Sequence, residues 1–212
     1  MRSVRHVVIA VMALALVGAA CSSDDGDLQS VRDPQRLMFF ELPNDWTVYD
    51  QTQLEALPAT PFVVQTGEVN LPILSRVVFE GTTAPDGAAL ADISTSNVPV
   101  GSAVVRSIST SQRDQISRFL LAELVLDYHN QPVAQEVLKQ DVEVAADFDG
   151  VQVVVLYNDG VSQADAGVAM ISITDPEVRR MFSIAVGCSL ECFGEHQTVI
   201  TDVIDSWLVN TR

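Results

Sequence analysis

The side chains with the most distinctive chemistry are few: three cysteines and three histidines, set in a chain of 28 acids and 12 bases. Cys188 and Cys192 are spaced C-x-x-x-C near the end of an apolar run, while Cys21 stands far away behind Gly18, Ala19 and Ala20. With Cys21 set aside, the other two form one pair, and a local disulfide is the economical reading in an oxidising compartment. The chain-entropy gain for so short a loop is about 2 kcal/mol. A redox-active pair competes with this reading but lacks the CxxC spacing and a neighbouring Lys or Arg to lower a thiol pKa. A zinc site would need two more ligands, and only His129 and His196 stand outside the N-terminal segment.

Other constellations point less clearly to chemistry. No GxSxG elbow is present, and the only lysine, Lys139, is preceded at the SxxK spacing by Glu136. HExxH, a Walker loop and GxGxxG are also missing. The string DFDG at 147–150 resembles the start of a calcium loop, but the further oxygen ligands are absent and a hairpin turn explains it better. His129 and His196 read as polar residues at helix ends, with a general base assembled by folding as the rival. Asp202 and Asp205 fall on the solvated side of a helix, and Arg179–Arg180 read as an exposed turn more readily than as an anion site. The aromatic residues Phe39, Phe40, Trp46, Phe79, Phe148, Phe182, Phe193 and Trp207 read as core, with an apolar ligand cavity as the alternative. No catalytic residue, metal ligand or cofactor is assigned, and the ligand-binding residues stay open.

Cys21 has a clearer context. Residues 1–20 place Arg2 and Arg5 before the apolar run 7–17 and end in small residues, the grammar of a signal peptide. That run is too short to span a bilayer, which takes about 20 apolar residues. The closing VGAAC has the form of a bacterial lipobox, in which the Cys21 thiol receives diacylglycerol and cleavage leaves it as the first residue. Acyl chains, palmitate among them, would then hold the protein to the cell membrane on its extracytoplasmic face, at about 0.8 kcal/mol per buried methylene. Ordinary secretion, with Cys21 just past the cut, is the competing reading.

The net charge is −16, and losing Arg2 and Arg5 with the leader makes the exported part more acidic still. A phosphate backbone would be repelled, which argues against a nucleic-acid partner. Residues 21–35, rich in Ser, Asp and Gly, read as the acylated Cys followed by an acidic flexible tether. Residues 36–212 then form a single domain, with 48% hydrophobic residues in the whole chain to supply its core.

Within that domain, 37–42 and 46–49 read as strands joined by the PND turn in a hairpin-like opening, and 71–81 and 100–109 as two more. Residues 111–130 carry Ile116, Phe119, Leu120, Leu124 and Asp127 along one side, with Ser111 and Asp114 as a capping box, and predict a long helix. Strands follow at 133–138, 142–148, 151–158, 166–174 and 180–188, with turns at Asp149-Gly150 and Asn158-Asp159-Gly160. Tight connections of this kind force antiparallel pairing. The stripe Val199, Ile200, Val203, Ile204, Trp207 and Leu208 predicts a closing helix over 196–209. The expected fold class is α+β, an antiparallel sheet flanked by helices.

Two stretches carry a family resemblance. Phe40, Pro43 and Trp46 form a Phe-x-x-Pro-x-x-Trp opening, Phe148 and Gly150 lie at a central turn, and Ile204, Ser206 and Trp207 form an Ile-x-Ser-Trp close. In this order the chain resembles the PsbP-like superfamily and, within it, actinobacterial lipoproteins of the LpqN type. Asp45 departs from the family's usual Gly before Trp, and the Cys188 and Cys192 pair is an addition. The resemblance implies an α/β/α sandwich and a role in binding or assembly, with no shared catalytic site. The functional expectation is a lipid-anchored, non-catalytic envelope lipoprotein that binds or positions a partner protein. The alternatives are a carrier or sensor of a small apolar ligand such as a lipid and, with less support, a hydrolase using His129 or His196.

Overall fold

A computed structural model describes residues 27–56, 71–85, 87–117, 120–126, 133–145, 147–158 and 165–210. Its centre is a seven-stranded antiparallel sheet built from β3 (Thr47–Tyr49), β4 (Ile73–Glu80), β5 (Val100–Ser107), β6 (Val133–Ala145), β7 (Phe148–Asn158), β8 (Asp165–Thr174) and β9 (Arg180–Ser189). The strand order is β3-β4-β5-β9-β8-β7-β6. β8 and β9 are buried along almost their whole length, so both sheet faces are covered and the two strands read as continuous apolar runs rather than alternating ones.

One face carries a second, three-stranded sheet of β1 (Leu28–Arg32), β2 (Met38–Pro43) and β10 (Leu208–Val209), together with helices α4 (Leu190–Glu195) and α5 (Gln197–Asp205). Phe79, Phe182, Ile184 and Val186 meet Phe40, Phe193, Ile204 and Trp207 there. The opposite face carries α1 (Gln51–Ala56), α2 (Ala88–Ala91), a 3-10 turn at Ile93–Thr95 and the turns of 120–126. The remaining short helix, α3 (Thr110–Arg113), follows β5. The α+β class expected from the sequence is the fold observed, with a small sheet sharing one of the covering layers.

Six local expectations are corrected. Residues 28–32 are not tether: they pair with β2 in full register, from Leu28 opposite Pro43 to Arg32 opposite Phe39. The polar composition hid this because the strand buries only Val31 fully and lies at a sheet edge. The stretches 37–42 and 46–49 do not form a hairpin either. β2 and β3 belong to different sheets, and the turn closed by the Trp46 N–H donating to Pro43 O (3.0 Å) carries the chain from one layer to the next.

The long helix expected at 111–130 is replaced, among the described residues, by the single turn of α3 and separate turns at 120–126. Its capping box sits on Ser109 and Gln112, not on Ser111 and Asp114. Leu121, Ala122, Leu124 and Leu126 are all buried, so the segment hides apolar residues on too many sides for one amphipathic stripe. Phe119 and Asp127 lie outside the described residues.

The closing helix stops at Asp205, short of 209. The Ser206 Oγ donates to Val203 O (2.8 Å) and accepts from the Glu41 N–H (3.0 Å), and Leu208–Val209 then pair with β2. The β6–β7 turn likewise lies before Asp149-Gly150, at Asp147 with φ 69°, in the left-handed region that Asp tolerates. Gly150 lies inside β7, where a Cβ would come 2.1 Å from Ser172 O. The two stretches read as 133–138 and 142–148 make one strand, β6, interrupted by register shifts at Glu136/Leu138 and Glu143/Ala145.

Candidate functional site

The residues singled out by sequence fall into separate parts of the molecule. Cys21, His129 and the Asn158-Asp159-Gly160 turn, beyond Asn158, lie outside the described residues. Cys188, at the end of β9, and Cys192, in the first turn of α4, are joined as a disulfide with their Cα atoms 5.9 Å apart. Both are buried beneath α5, where the bridge staples the strand-to-helix corner. The Ser189 Oγ caps the same helix by accepting from the Cys192 N–H. Gly167 lets Phe193 of α4 settle on the sheet: a Cβ at that position would lie 2.4 Å from the Phe193 ring.

His196 occupies the junction between α4 and α5, where its backbone bonds to Cys192 O and Ile200 N. Asp202 and Asp205 are exposed, as expected. Arg180 is tied to Asp175, its Nε donating to Oδ2 at 3.1 Å, and lies over the Phe182 ring. Asp175 also accepts from the backbone N–H groups of Arg179 and Arg180, so this pair is a turn organised by one buried carboxylate. Asp147 and Asp149 of the DFDG string join Glu143 and Asp175 around an open cleft of about 420 Å³. Among the described residues no group of His, Cys, Asp or Glu is placed to hold a metal.

The aromatic residues divide between core and surface. Phe79 lies 5.5 Å from Phe40 and 5.9 Å from Trp46 between ring centroids, and Phe148 meets Phe182 edge-on at 5.9 Å. Phe40, Trp46, Ile204 and Trp207, which carry the family resemblance, are therefore packing residues joining the small sheet and α5 to the large sheet. Phe39 points the other way. With Leu28 (58% exposed), Leu208 (57% exposed) and Arg32, whose guanidinium lies over its ring, it occupies the outer face of the small sheet. Beside that face, Ser30, Glu41, Asp205 and Ser206 line a shallow groove of about 350 Å³.

Sequence reasoning missed the residues that organise the interior polar groups. Asp33, placed in the supposed tether, is buried and accepts from the N–H groups of Gln35, Leu37 and Met38 and from the Ser75 hydroxyl (2.6 Å). It thereby shapes the β1–β2 turn and fastens it to β4. Also missed were Arg76 and Arg106, one in β4 and one in β5, which share the opposite sheet face. The available signal was a single arginine inside each of two largely apolar strand runs, LPILSRVVFE and VGSAVVRSIS. Burial lowers both guanidinium pKa values from the ordinary range, and for Arg106 the charge of Arg76 lowers it further.

No family model matches the chain, and no curated protein matches it by sequence. Solved structures do. Cyanobacterial PsbP (CyanoP) from Synechocystis has a TM-score of 0.50 at 13% identity, covering 92% of this chain and 99% of its own. LpqN of Mycobacterium tuberculosis, described as involved in cell envelope biogenesis, has a TM-score of 0.51 at 11% identity, covering 87% and 91%. A single-residue variant of the protein Mog1 has a TM-score of 0.50 at 8% identity, covering 87% and 97%. The chain has a PsbP-like fold, and at these identities the likeness is one of fold alone. Among the described residues, no helix is long and apolar enough to cross a membrane.

Proposed function

We propose that this chain is an exported lipoprotein of the LpqN type, anchored through Cys21 on the extracytoplasmic face of the cell membrane, whose domain binds or positions an envelope partner without chemistry of its own. The observation that carries this reading is the leader: Arg2 and Arg5, the apolar run and the VGAAC junction. The fold shared with LpqN, a protein of cell envelope biogenesis, supports the same setting.

The pairing of β1 sharpens the proposal. The domain begins at Leu28, which leaves only residues 22–27 between the anchor and the first strand. Six residues reach about 20 Å when fully extended. The small sheet, with Phe39, Leu28 and Leu208 on its outer face, is then held near the membrane surface, where an envelope partner would meet it.

The test is metabolic labelling with a palmitate analogue in the native host, followed by fractionation. The unaltered chain is expected to be labelled and to stay with the membrane. Cys21→Ala is expected to lose the label entirely and to accumulate either as uncleaved precursor or in the medium. An unlabelled wild-type chain released into culture fluid would overturn the anchor. Crosslinking in cells, followed by purification, is then expected to recover one reproducible envelope protein, and to lose it in Phe39→Ser/Leu208→Ser.

A further inference from the structure

Arg76 and Arg106 are brought together by strand register. Arg76 of β4 lies opposite Val104 of β5, so Arg106 is its diagonal neighbour one pleat further along the same face. Diagonal cross-strand positions lie about 7–8 Å apart, within reach of two long side chains. The Nη1 of Arg106 donates to Leu71 O at 3.1 Å, whereas its Nε is buried with no acceptor. Neither guanidinium has a carboxylate within ion-pair distance among the described residues. This is conspicuous in a chain where acids outnumber bases 28 to 12 and where Arg180 is paired with a buried Asp.

Half-buried guanidiniums side by side, repelling each other and short of acceptors, are costly to keep unless something supplies the missing negative charge. Each guanidinium carries five donors in a planar fork, and only Arg106 Nη1 has an acceptor among the described residues. A carboxylate is satisfied by one such fork, whereas a phosphate presents acceptors to two at once. We propose that Arg76 and Arg106 form a clamp for the phosphate group of a ligand. Ile73 and Leu74, both exposed on the same strand, flank the clamp with apolar surface that suits a phosphate carried on an apolar body. A phospholipid headgroup and a soluble phosphate share this chemistry. The clamp is independent of whether Cys21 carries lipid.

The test is titration of the full chain, as the cell exports it, with two probes at constant ionic strength: inorganic phosphate, and dihexanoyl phosphatidylglycerol below its micelle concentration. The readout is the side-chain Nε–Hε resonances of Arg76 and Arg106. Saturable shifts of both with either probe support the clamp. Response to the lipid alone identifies a headgroup as the source, and equal response to phosphate identifies the free anion. Arg76→Gln and Arg106→Gln are each expected to weaken binding about tenfold or more, as loss of charge-assisted bonds predicts. Each is also expected to leave the ligand-free chain as stable as before or more so, because an uncompensated charge is removed. Saturable shifts with neither probe, or unchanged affinity in both variants, would overturn the clamp. If Arg106→Gln fails to fold, the less buried Arg76→Gln decides the matter alone.

Discussion

The two faces of the central sheet are built from the same strands and differ in how their polar groups are settled. On the face beneath the small sheet, Asp33 gathers donors from Gln35, Leu37, Met38 and Ser75, and Ser206 ties the end of α5 to Glu41. The indole nitrogen of Trp207 is the exception, buried there without a partner. On the opposite face Glu80 accepts from the Tyr49 hydroxyl, but Arg106 Nε and Ser172 Oγ are both buried and unpartnered, and Arg76 and Arg106 stand beside each other with no acid within ion-pair distance among the described residues. A face whose buried polar atoms are satisfied is a scaffold, and one that leaves charges uncompensated has capacity for something else to bind. The family-like residues lie on the scaffold side, which explains why they report the fold and say little about the ligand.

The comparison can be broken by substitution. The largest effect is expected for Phe182→Ala on the scaffold face, about 3–5 kcal/mol by denaturant unfolding, because a fully buried ring packed on Phe148 is lost. Its chain neighbour Met181 is as fully buried but faces the other way, opposite Arg106. Met181→Ala should cost less, about 2–4 kcal/mol, and should also weaken phosphate binding, which Phe182→Ala at partial occupancy of the folded state should not.

Next comes Asp33→Ala. Removing its carboxylate strands several buried donors, so a loss of about 3 kcal/mol is expected, against about 1 kcal/mol for Ser75→Ala, which removes a single bond. Equal losses would show that the turn N–H groups contribute nothing and that Asp33 acts through Ser75 alone; no loss in Ser75→Ala would show that Asp33 does not join the two sheets. The paired change Cys188→Ala/Cys192→Ala is expected to lower stability by about 2 kcal/mol, the entropic value for so short a loop. Thermal unfolding with and without reductant gives an independent reading of the same term. Lys139→Gln serves as the control. Its partner Glu136 is half-exposed on the edge strand β6, and the change should cost no more than about 0.5 kcal/mol.

Much of the architecture was legible in local pattern. The apolar runs at 166–174 and 180–188 read directly as strands, and the stripe through Ile200, Val203, Ile204 and Trp207 read as a helix packed on the sheet. The C-x-x-x-C pair read as a corner staple before its partners were placed. What escaped depended on distant partners. Residues 28–32 look like solvated linker until β2 is laid beside them, since an edge strand can bury as little as one residue, here Val31. The run 120–126 looks helical until the burial of Leu121, Ala122, Leu124 and Leu126 is seen.

The candidate clamp shows the same limit. Arg76 and Arg106 are thirty positions apart, and each alone is an oddity in an apolar run. Only the register of β4 against β5, with the extra residue at Leu74 absorbed by a bulge, makes them neighbours.

From the order of its residues alone, this protein carries the period of its strands and last helix, its acidity and the leader-like pattern ahead of Cys21, because each is a property of a few adjacent side chains. Tertiary structure decided which strands pair, where Asp33 finds Ser75 and that Arg76 and Arg106 share a face with no acid within ion-pair distance among the described residues. Those outcomes are set by hydrogen-bond register between segments far apart in the chain, and a shift of one residue would have turned every side chain to the other side.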